Sequence, residues 1–408
     1  MDRKWTVIVY MVADTGDSFY QSAMDNVFQM TKAKFNEKGI KVLVHADAPS
    51  PWVPKCWDVE TGAVTLKPGW DHACFLDFAK KCIEEYHAEN YLIVLWGHGE
   101  GIDWKQKILA NSPLGKNIVG AGKRLWQGSK GALEVAEIGQ TLNEMHKELE
   151  KFGLNIKRDR VVVGFDACLM GMVEVYYEIS KHVGWGVAAA GEIPDSGWSY
   201  ADILRVLGER LEIQPKELAD KIVDICTGWY SVHSPDAKVT FAACDLSKSD
   251  SVLEAMTNLT TVLCACIEDS SVRTAVKDAR DFAEDLQERA YIDLWAFCSE
   301  LKRKTNQGGA NRPELHSAAS RVIDALGNFV SCHKFSDAYP WKFAEDARGL
   351  SICFPASADL AGSIPTIQVN WGAYKDLAFS LTTHWPDFLM KFWGRPPLAE
   401  PEAMWATK

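Results

Sequence analysis

The chain has no long apolar run. Its longest uninterrupted stretches, such as Tyr91–Trp96, fall far below the roughly 20 residues that a membrane span needs. It also has no surplus of basic charge: Lys and Arg total 44 against 55 Asp and Glu, a formal net charge of −11. Phosphate-binding surfaces are basic, so neither nucleic acid nor an anionic membrane is expected as a partner, whereas a cationic substrate is compatible. There is no C-x-x-C among the eleven cysteines, an odd number scattered along the whole length. That excludes a disulfide framework and a zinc site of ordinary spacing, and leaves a reduced set of thiols, most of them small core residues. Missing too are G-x-G-x-x-G after a strand, G-x-S-x-G and H-E-x-x-H, the minimal residues of dinucleotide binding, a serine-hydrolase elbow and a zinc protease. Gly120-Ala121-Gly122-Lys123 has no glycine at phosphate-loop spacing and is followed by Arg124. The sixteen tryptophans are spread out, as packing residues are.

What is present is the composition of an ordinary globular protein, 47% apolar and 24% charged over 408 residues, too long for one minimal core. The start, Met1–Lys4, leads straight into Thr6–Val12. That run is too short for the apolar region of a leader and no small-residue cleavage site follows, so it reads as a first strand. As written the chain is expected to be cytoplasmic; with a leader removed it would be secreted.

The first half alternates short apolar runs with helical patterns, as βαβ units do. Strands are predicted at Thr6–Ala13, Val42–Ala46, Tyr91–Trp96, Val161–Phe165 and Val187–Ala190, with helices near Ser18–Lys34, Ala73–His87, Ile138–Phe152 and Leu169–Lys181. The all-apolar runs suit the centre of a parallel sheet, buried on both faces. The second half carries strand signals at Lys238–Cys244 and Gly349–Phe354 and helices near Pro215–Tyr230, Lys248–Cys266, Thr274–Lys302 and Pro313–Cys332. Residues 1–210 thus read as a sheet-centred catalytic core, and 211–408 as an extension adding strands and a helical subdomain. Between them in character, Asp103–Gly131 has no period and six basic residues, Lys105, Lys107, Lys116, Lys123, Arg124 and Lys130; loops of such length are usually functional or mobile.

Two all-apolar strands each end in a reactive residue. Tyr91–Trp96 runs into Gly97-His98-Gly99, and Val161–Phe165 into Asp166-Ala167-Cys168-Leu169-Met170-Gly171. In an open parallel sheet, ligands bind outside the carboxyl ends of the strands. If these two strands are neighbours, His98 and Cys168 share a crevice. A thiolate is the nucleophile of a cysteine enzyme, and a neighbouring imidazolium or a helix N-terminus lowers its pKa; the expected helix from Leu169 would supply that field. His98 can protonate a leaving amine, and the Gly99 and Cys168 amides are candidates to hold a developing oxyanion. Asp166 lies two residues before Cys168, and in extended structure i and i+2 share a face, so its carboxylate is expected in the same pocket. Read as residues alone, these remain open to a bland account: a buried cysteine, a structural histidine and turn glycines.

The block Asp166–Gly171, together with His98-Gly99 after an upstream apolar strand, resembles the clostripain family of cysteine peptidases, relatives of caspases, legumain and gingipains. Trp5–Asp14 is similar to the family's first strand, Ala190–Trp198 to its post-catalytic loop, and weaker likenesses continue in Val239–Leu246, Tyr291–Leu294 and Gly349–Pro355. The resemblance implies an α/β fold, a caspase-like three-layer sandwich with a largely parallel central sheet, here with a C-terminal α-rich extension that adds strands. It implies catalytic His98 and Cys168, an oxyanion site at Gly99, and cleavage of polypeptides after Arg or Lys, with Asp166 binding the basic side chain. It implies self-cleavage between the histidine and the cysteine, here in 103–131. The family usually has Asp directly before the Gly-Trp of the post-catalytic loop; this chain has Ser196 there and Asp195 one place earlier, which makes Asp195 the candidate second pocket carboxylate. No cofactor is expected; some members respond to calcium, but no acidic cluster here has a recognisable calcium spacing. The chain is expected to act as a monomer. Two alternatives stay open: the same peptidase class with another P1 preference, and a non-catalytic relative that binds peptides or carbohydrates.

Overall fold

The computed structural model describes residues 3–35, 38–67, 75–99, 156–283, 290–306, 311–339, 345–357 and 371–396, with a few isolated positions between 138 and 150 and at 286. The strands are β1 (Trp5–Met11), β2 (Ile40–Ala46), β3 (Lys55–Glu60), β4 (Ala63–Leu66), β5 (Asn90–Trp96), β6 (Val161–Asp166), β7 (Trp185–Ala188), β8 (Thr240–Asp245), β9 (Tyr291–Asp293), β10 (Val330–Phe335) and β11 (Ser351–Cys353). The helices used below are α1 (Asp17–Thr31), α2 (Phe75–Glu85), α3 (Val173–Ile179), α4 (Tyr200–Glu209), α5 (Pro215–His233), α6 (Ser249–Cys266), α7 (Ser270–Phe282), α8 (Leu294–Asn306) and α9 (Pro313–Phe329), followed by three short helices between Trp371 and Phe392.

Nine strands form one sheet in the order β10-β8-β7-β6-β5-β1-β2-β3-β4. The five central strands, β7, β6, β5, β1 and β2, are parallel, and an antiparallel pair extends the sheet at each side. The all-apolar strands divide their side chains by the period of two. Val7 and Val9 of β1, Leu92, Val94 and Trp96 of β5 and Val162 of β6 face a layer built by α1, α4 and α5. Ile8, Tyr91, Ile93, Leu95, Val163 and Phe165 face the opposite layer of α2, α3 and the second-half helices. Each buried aliphatic side chain of this kind contributes about 1.5–3 kcal/mol. Helix α2 illustrates the fit: Phe75, Phe78, Ala79, Cys82 and Ile83 are its buried residues, the spacing of one helical stripe. The result is a mixed α/β sandwich with a large, mostly parallel central sheet.

Several elements differ from the sequence reading. The hairpin β3–β4 and the strand β10 are half-buried edge elements, whose mixed patterns carry no strong period. Helix α4 was not foreseen. The helix expected over 274–302 is two, α7 and α8, separated by β9, because Tyr291–Asp293 pairs with Ser351–Cys353 in a small second sheet. The helix expected from Leu169 begins only at Val173. The expected helix at 138–152 and the loop 103–131 lie largely or wholly outside the described residues. No helix among the described residues is long and apolar enough to cross a membrane.

Candidate active site

Strands β5 and β6 are neighbours, paired in parallel from Tyr91↔Val161 to Trp96↔Asp166. The ladder continues one step further, Gly97 N–H donating to Asp166 O at 3.2 Å. His98 and Cys168 therefore emerge in register, two residues past the last pair, at the carboxyl edge of the sheet. Gly99 lies directly against the Cys168 backbone: a Cβ at 99 would meet Cys168 O at 1.9 Å and Cys168 N at 2.9 Å. Only glycine allows this approach, so the residue after the histidine is locked onto the residue that carries the thiol.

Cys168 sits in a turn, not at a helix end. The next residue, Leu169, has φ of 63°, a conformation uncommon for a residue with a bulky side chain. It is held there by its N–H donating to Gly191 O at 2.9 Å and by burial of the side chain. The Cys168 thiol is bracketed by Ile193, whose N–H is 3.3 Å and whose carbonyl is 3.4 Å from Sγ. Burial pushes the thiol up to about 11, the Glu192, Asp195 and Asp166 carboxylates add to this, and only the Ile193 N–H opposes it. The sequence reading expected a lowered thiol pKa; the shift is upward instead, chiefly because the thiol is buried, with the nearby negative charges adding to it and the following helix not beginning until Val173.

His98 is exposed at its outer edge and stacks face to face on Phe19 of α1, with ring centroids 3.8 Å apart and planes 10° from parallel. Phe19 in turn packs on Trp96 at 4.5 Å. Loss of hydration lowers the imidazole pKa, and the charge of Asp195 opposes that shift. Among the described residues, no hydrogen bond joins His98 to Cys168. Both feel Asp195, which stands exposed at the rim. Phe19 was not singled out from the sequence; a lone aromatic on an amphipathic helix carries no signal there.

Asp166 is fully buried. Its Oδ2 accepts from the Trp198 N–H at 2.9 Å and the Tyr200 hydroxyl at 2.7 Å, and burial pushes its carboxyl up to about 7. Asp166 meets the segment 191–200 at Trp198 and Tyr200, and Cys168 meets it at Ile193. Ser196 is turned toward the Tyr230 hydroxyl at 3.5 Å, and that hydroxyl lies 2.8 Å from Gly197 O. The structure thus puts Asp166 beneath the post-catalytic loop and Asp195 on its outer side.

A second histidine–cysteine pair exists. His45 Nδ1 is 3.1 Å from Cys56 Sγ, and His45 Nε2 is 2.9 Å from Asp47 Oδ1. His45 stacks on Tyr10 at 4.7 Å, and both His45 and Cys56 are buried at β2 and β3. Among the described residues, no group of three or more His, Cys, Asp or Glu side chains is arranged to hold a metal ion.

A profile of the clostripain family matches residues 9–393. This chain belongs to the clostripain family. Its class is cysteine peptidase, a hydrolase of peptide bonds. Similar folds include a secreted C11 cysteine protease from Bacteroides thetaiotaomicron in complex with an irreversible peptide inhibitor, 16% identical, with a TM-score of 0.60 over 94% of this chain and 99% of that one. They also include an inactive zymogen C11 protease from Parabacteroides distasonis, 16% identical, with a TM-score of 0.57 over 94% and 99%. At these identities the likeness is one of fold, and it bears out the caspase-like sandwich. No curated protein matches the chain.

Proposed function

We propose that this clostripain-family chain is an endopeptidase that cleaves polypeptides after Arg or Lys, with Cys168 as nucleophile and His98 as proton carrier. The observation that carries the reading is the register of β5 and β6, which brings both residues out at one edge of the sheet with Gly99 against the Cys168 backbone. The rival pair His45–Cys56 is hydrogen bonded but buried among core side chains, where no scissile carbonyl can reach.

Burial raises the thiol pKa and lowers that of the imidazole, which favours a neutral pair over a thiolate–imidazolium pair. The imidazole is then able to take the thiol proton as Sγ attacks the scissile carbonyl carbon. The Gly99 and Cys168 amides stabilise the oxyanion. The imidazolium so formed, favoured by Asp195, gives its proton to the leaving amine. Water, deprotonated by His98, hydrolyses the thioester, frees the acid product and restores the thiol. Asp166 binds the basic P1 side chain, and Asp195 supplies negative charge at the rim. By its likeness to the family the chain would cleave itself within 103–131, where six basic residues offer P1 positions.

Cys168→Ala is expected to abolish turnover of a basic-P1 peptide, and retained turnover overturns the assignment. A positional library decides P1: a preference for an uncharged or acidic residue overturns the pocket reading but leaves the peptidase. Self-cleavage predicts two fragments parting within 103–131 on a denaturing gel, absent in Cys168→Ala; an uncut wild-type chain after long incubation overturns it.

A further inference from the structure

The post-catalytic loop is fastened at both ends and turns back on itself between them. At its start the Leu169 N–H donates to Gly191 O at 2.9 Å, and Ile193 brackets the Cys168 thiol. At its end the Trp198 N–H donates to Asp166 Oδ2 at 2.9 Å. Gly197, with φ of 66°, is packed shut there: a Cβ would lie 2.8 Å from Asp166 Oδ2 and 2.9 Å from Asn26 Oδ1. Between the two ends lies the turn Pro194–Gly197, closed by the Gly197 N–H donating to Pro194 O at 3.1 Å. Its central residues are Asp195, exposed at the rim, and Ser196.

Among the described residues, one side chain holds this turn from within. The Tyr230 hydroxyl of α5 donates to Gly197 O at 2.8 Å, with a longer branch to Pro194 O at 3.2 Å, and accepts from Ser196 Oγ at 3.5 Å. Tyr230 is 0% exposed. Its ring meets Trp229 edge-on at 5.1 Å and stacks on Phe241 at 6.3 Å, so packing fixes the direction of the hydroxyl. Burial raises the hydroxyl pKa above the ordinary tyrosine value, which keeps it a donor. Ser196 occupies the place where the family usually has Asp. A serine hydroxyl can donate to the tyrosine oxygen and leave the tyrosine proton to the backbone; a carboxylate could only compete for that proton. With Ser196 turned inward, Asp195 is the residue left on the outer side.

We propose that Tyr230 is a positioning residue for peptide-bond cleavage: by capping the 194–197 turn it holds Ile193 against the thiol and Asp195 within reach of His98. This rests on the reading of His98 and Cys168 as the catalytic pair. Tyr230 itself touches neither of them; it acts through the loop, and small displacements around a nucleophile are costly in rate.

The test uses the full chain. Tyr230→Phe keeps the ring and removes only the hydroxyl. It is expected to lower kcat for a basic-P1 peptide by about tenfold, the scale of one well-made hydrogen bond, with KM little changed. Alkylation of Cys168 by iodoacetamide is expected to quicken, because the thiol loses the cover of Ile193, while Cys226, buried one turn earlier on α5, stays unreactive. The acid limb of the kcat/KM profile is expected to move to lower pH, since the Asp195 charge that raises the His98 pKa is less firmly held. In an Asp195→Asn background the same substitution should leave that limb in place. Ser196→Ala, a change outside the core, is expected to move the same readings in the same directions by less. Parent values of kcat and alkylation in Tyr230→Phe overturn the proposal. So does lost turnover with Cys168 and Cys226 both alkylated faster, which marks a merely structural role. If Tyr230→Phe does not fold, parent values throughout in Ser196→Ala overturn it instead. Cys168→Ala separates the two readings: turnover retained there removes the catalytic pair and this proposal with it, whereas turnover lost there beside parent values in Tyr230→Phe removes this proposal alone.

Discussion

Two histidine–cysteine pairs stand among the described residues. His45 and Cys56 have the better contact: a 3.1 Å approach, a carboxylate behind the imidazole and an aromatic ring stacked on it. His98 and Cys168 have no such bond. Yet the first pair lies inside the packed face of the sheet, whereas the second stands at the carboxyl edge of the two central strands, with one ring edge in solvent. On the proposed assignment, a hydrogen bond between a thiol and an imidazole is no sign of catalysis by itself. A cysteine peptidase needs a thiol that a carbonyl carbon can approach and an imidazole free to move a proton in both directions. The closed pair satisfies its own polar atoms and so contributes to stability; the open pair keeps valences for substrate.

Swapping the lesions between the pairs tests this contrast most strongly. His98→Ala is expected to lower kcat/KM by about 10²–10⁴-fold, the usual share of a general acid–base, with little change in melting temperature. Cys56→Ala is expected to do the opposite: a loss of roughly 1–3 kcal/mol of stability, because the His45 ring nitrogen is left buried without its partner, with kcat/KM within about threefold. A Cys56→Ala enzyme that is stable but inactive reverses the assignment of the two pairs. Accessibility gives a second test. Alkylation of the free enzyme by iodoacetamide is expected at Cys168 and not at Cys56. Its rate should climb with pH up to about 11, because the thiolate fraction grows about tenfold per pH unit below the pKa. A rate already at its plateau at pH 7 shows a thiolate resting state and a different charge balance at the edge. The smallest effect is expected at Phe19. Phe19→Ala exposes the His98 ring to water, removes the main cause of its lowered pKa, and should move the acid limb of the kcat/KM profile upward by a fraction of a pH unit, while alkylation at high pH stays unchanged.

The sequence made the centre of this fold legible and its margins opaque, for a physical reason. Strands β1, β5 and β6 are buried on both faces, so nearly every residue is apolar and the run announces itself. Edge strands such as β4 and β10 are solvated on one side and carry residues that any loop would accept. Cys168 and His98 were singled out because they follow two such buried runs, which the fold places side by side, and Asp166 because i and i+2 share a face. The electrostatics at Cys168 were misread. Charge at the thiol comes from Glu192 and Asp195, some 25 residues further along the chain, and that proximity has no local signature. Phe19 was invisible for the same reason: it is an ordinary helix residue until the helix is laid against the sheet.

The β5–β6 pairing divides the molecule in an unusual place. Within the nine-stranded sheet, every strand before residue 100 lies on one side of that ladder and every strand after residue 155 on the other. A chain severed anywhere between the two strands would fall into two polypeptides, one bearing the imidazole and the other the thiol, clasped by six paired positions and by the two apolar layers that span the seam. The sheet is thus composed of two lengths of chain that meet at a single parallel ladder. The proposed active site belongs to that joint and to neither length alone.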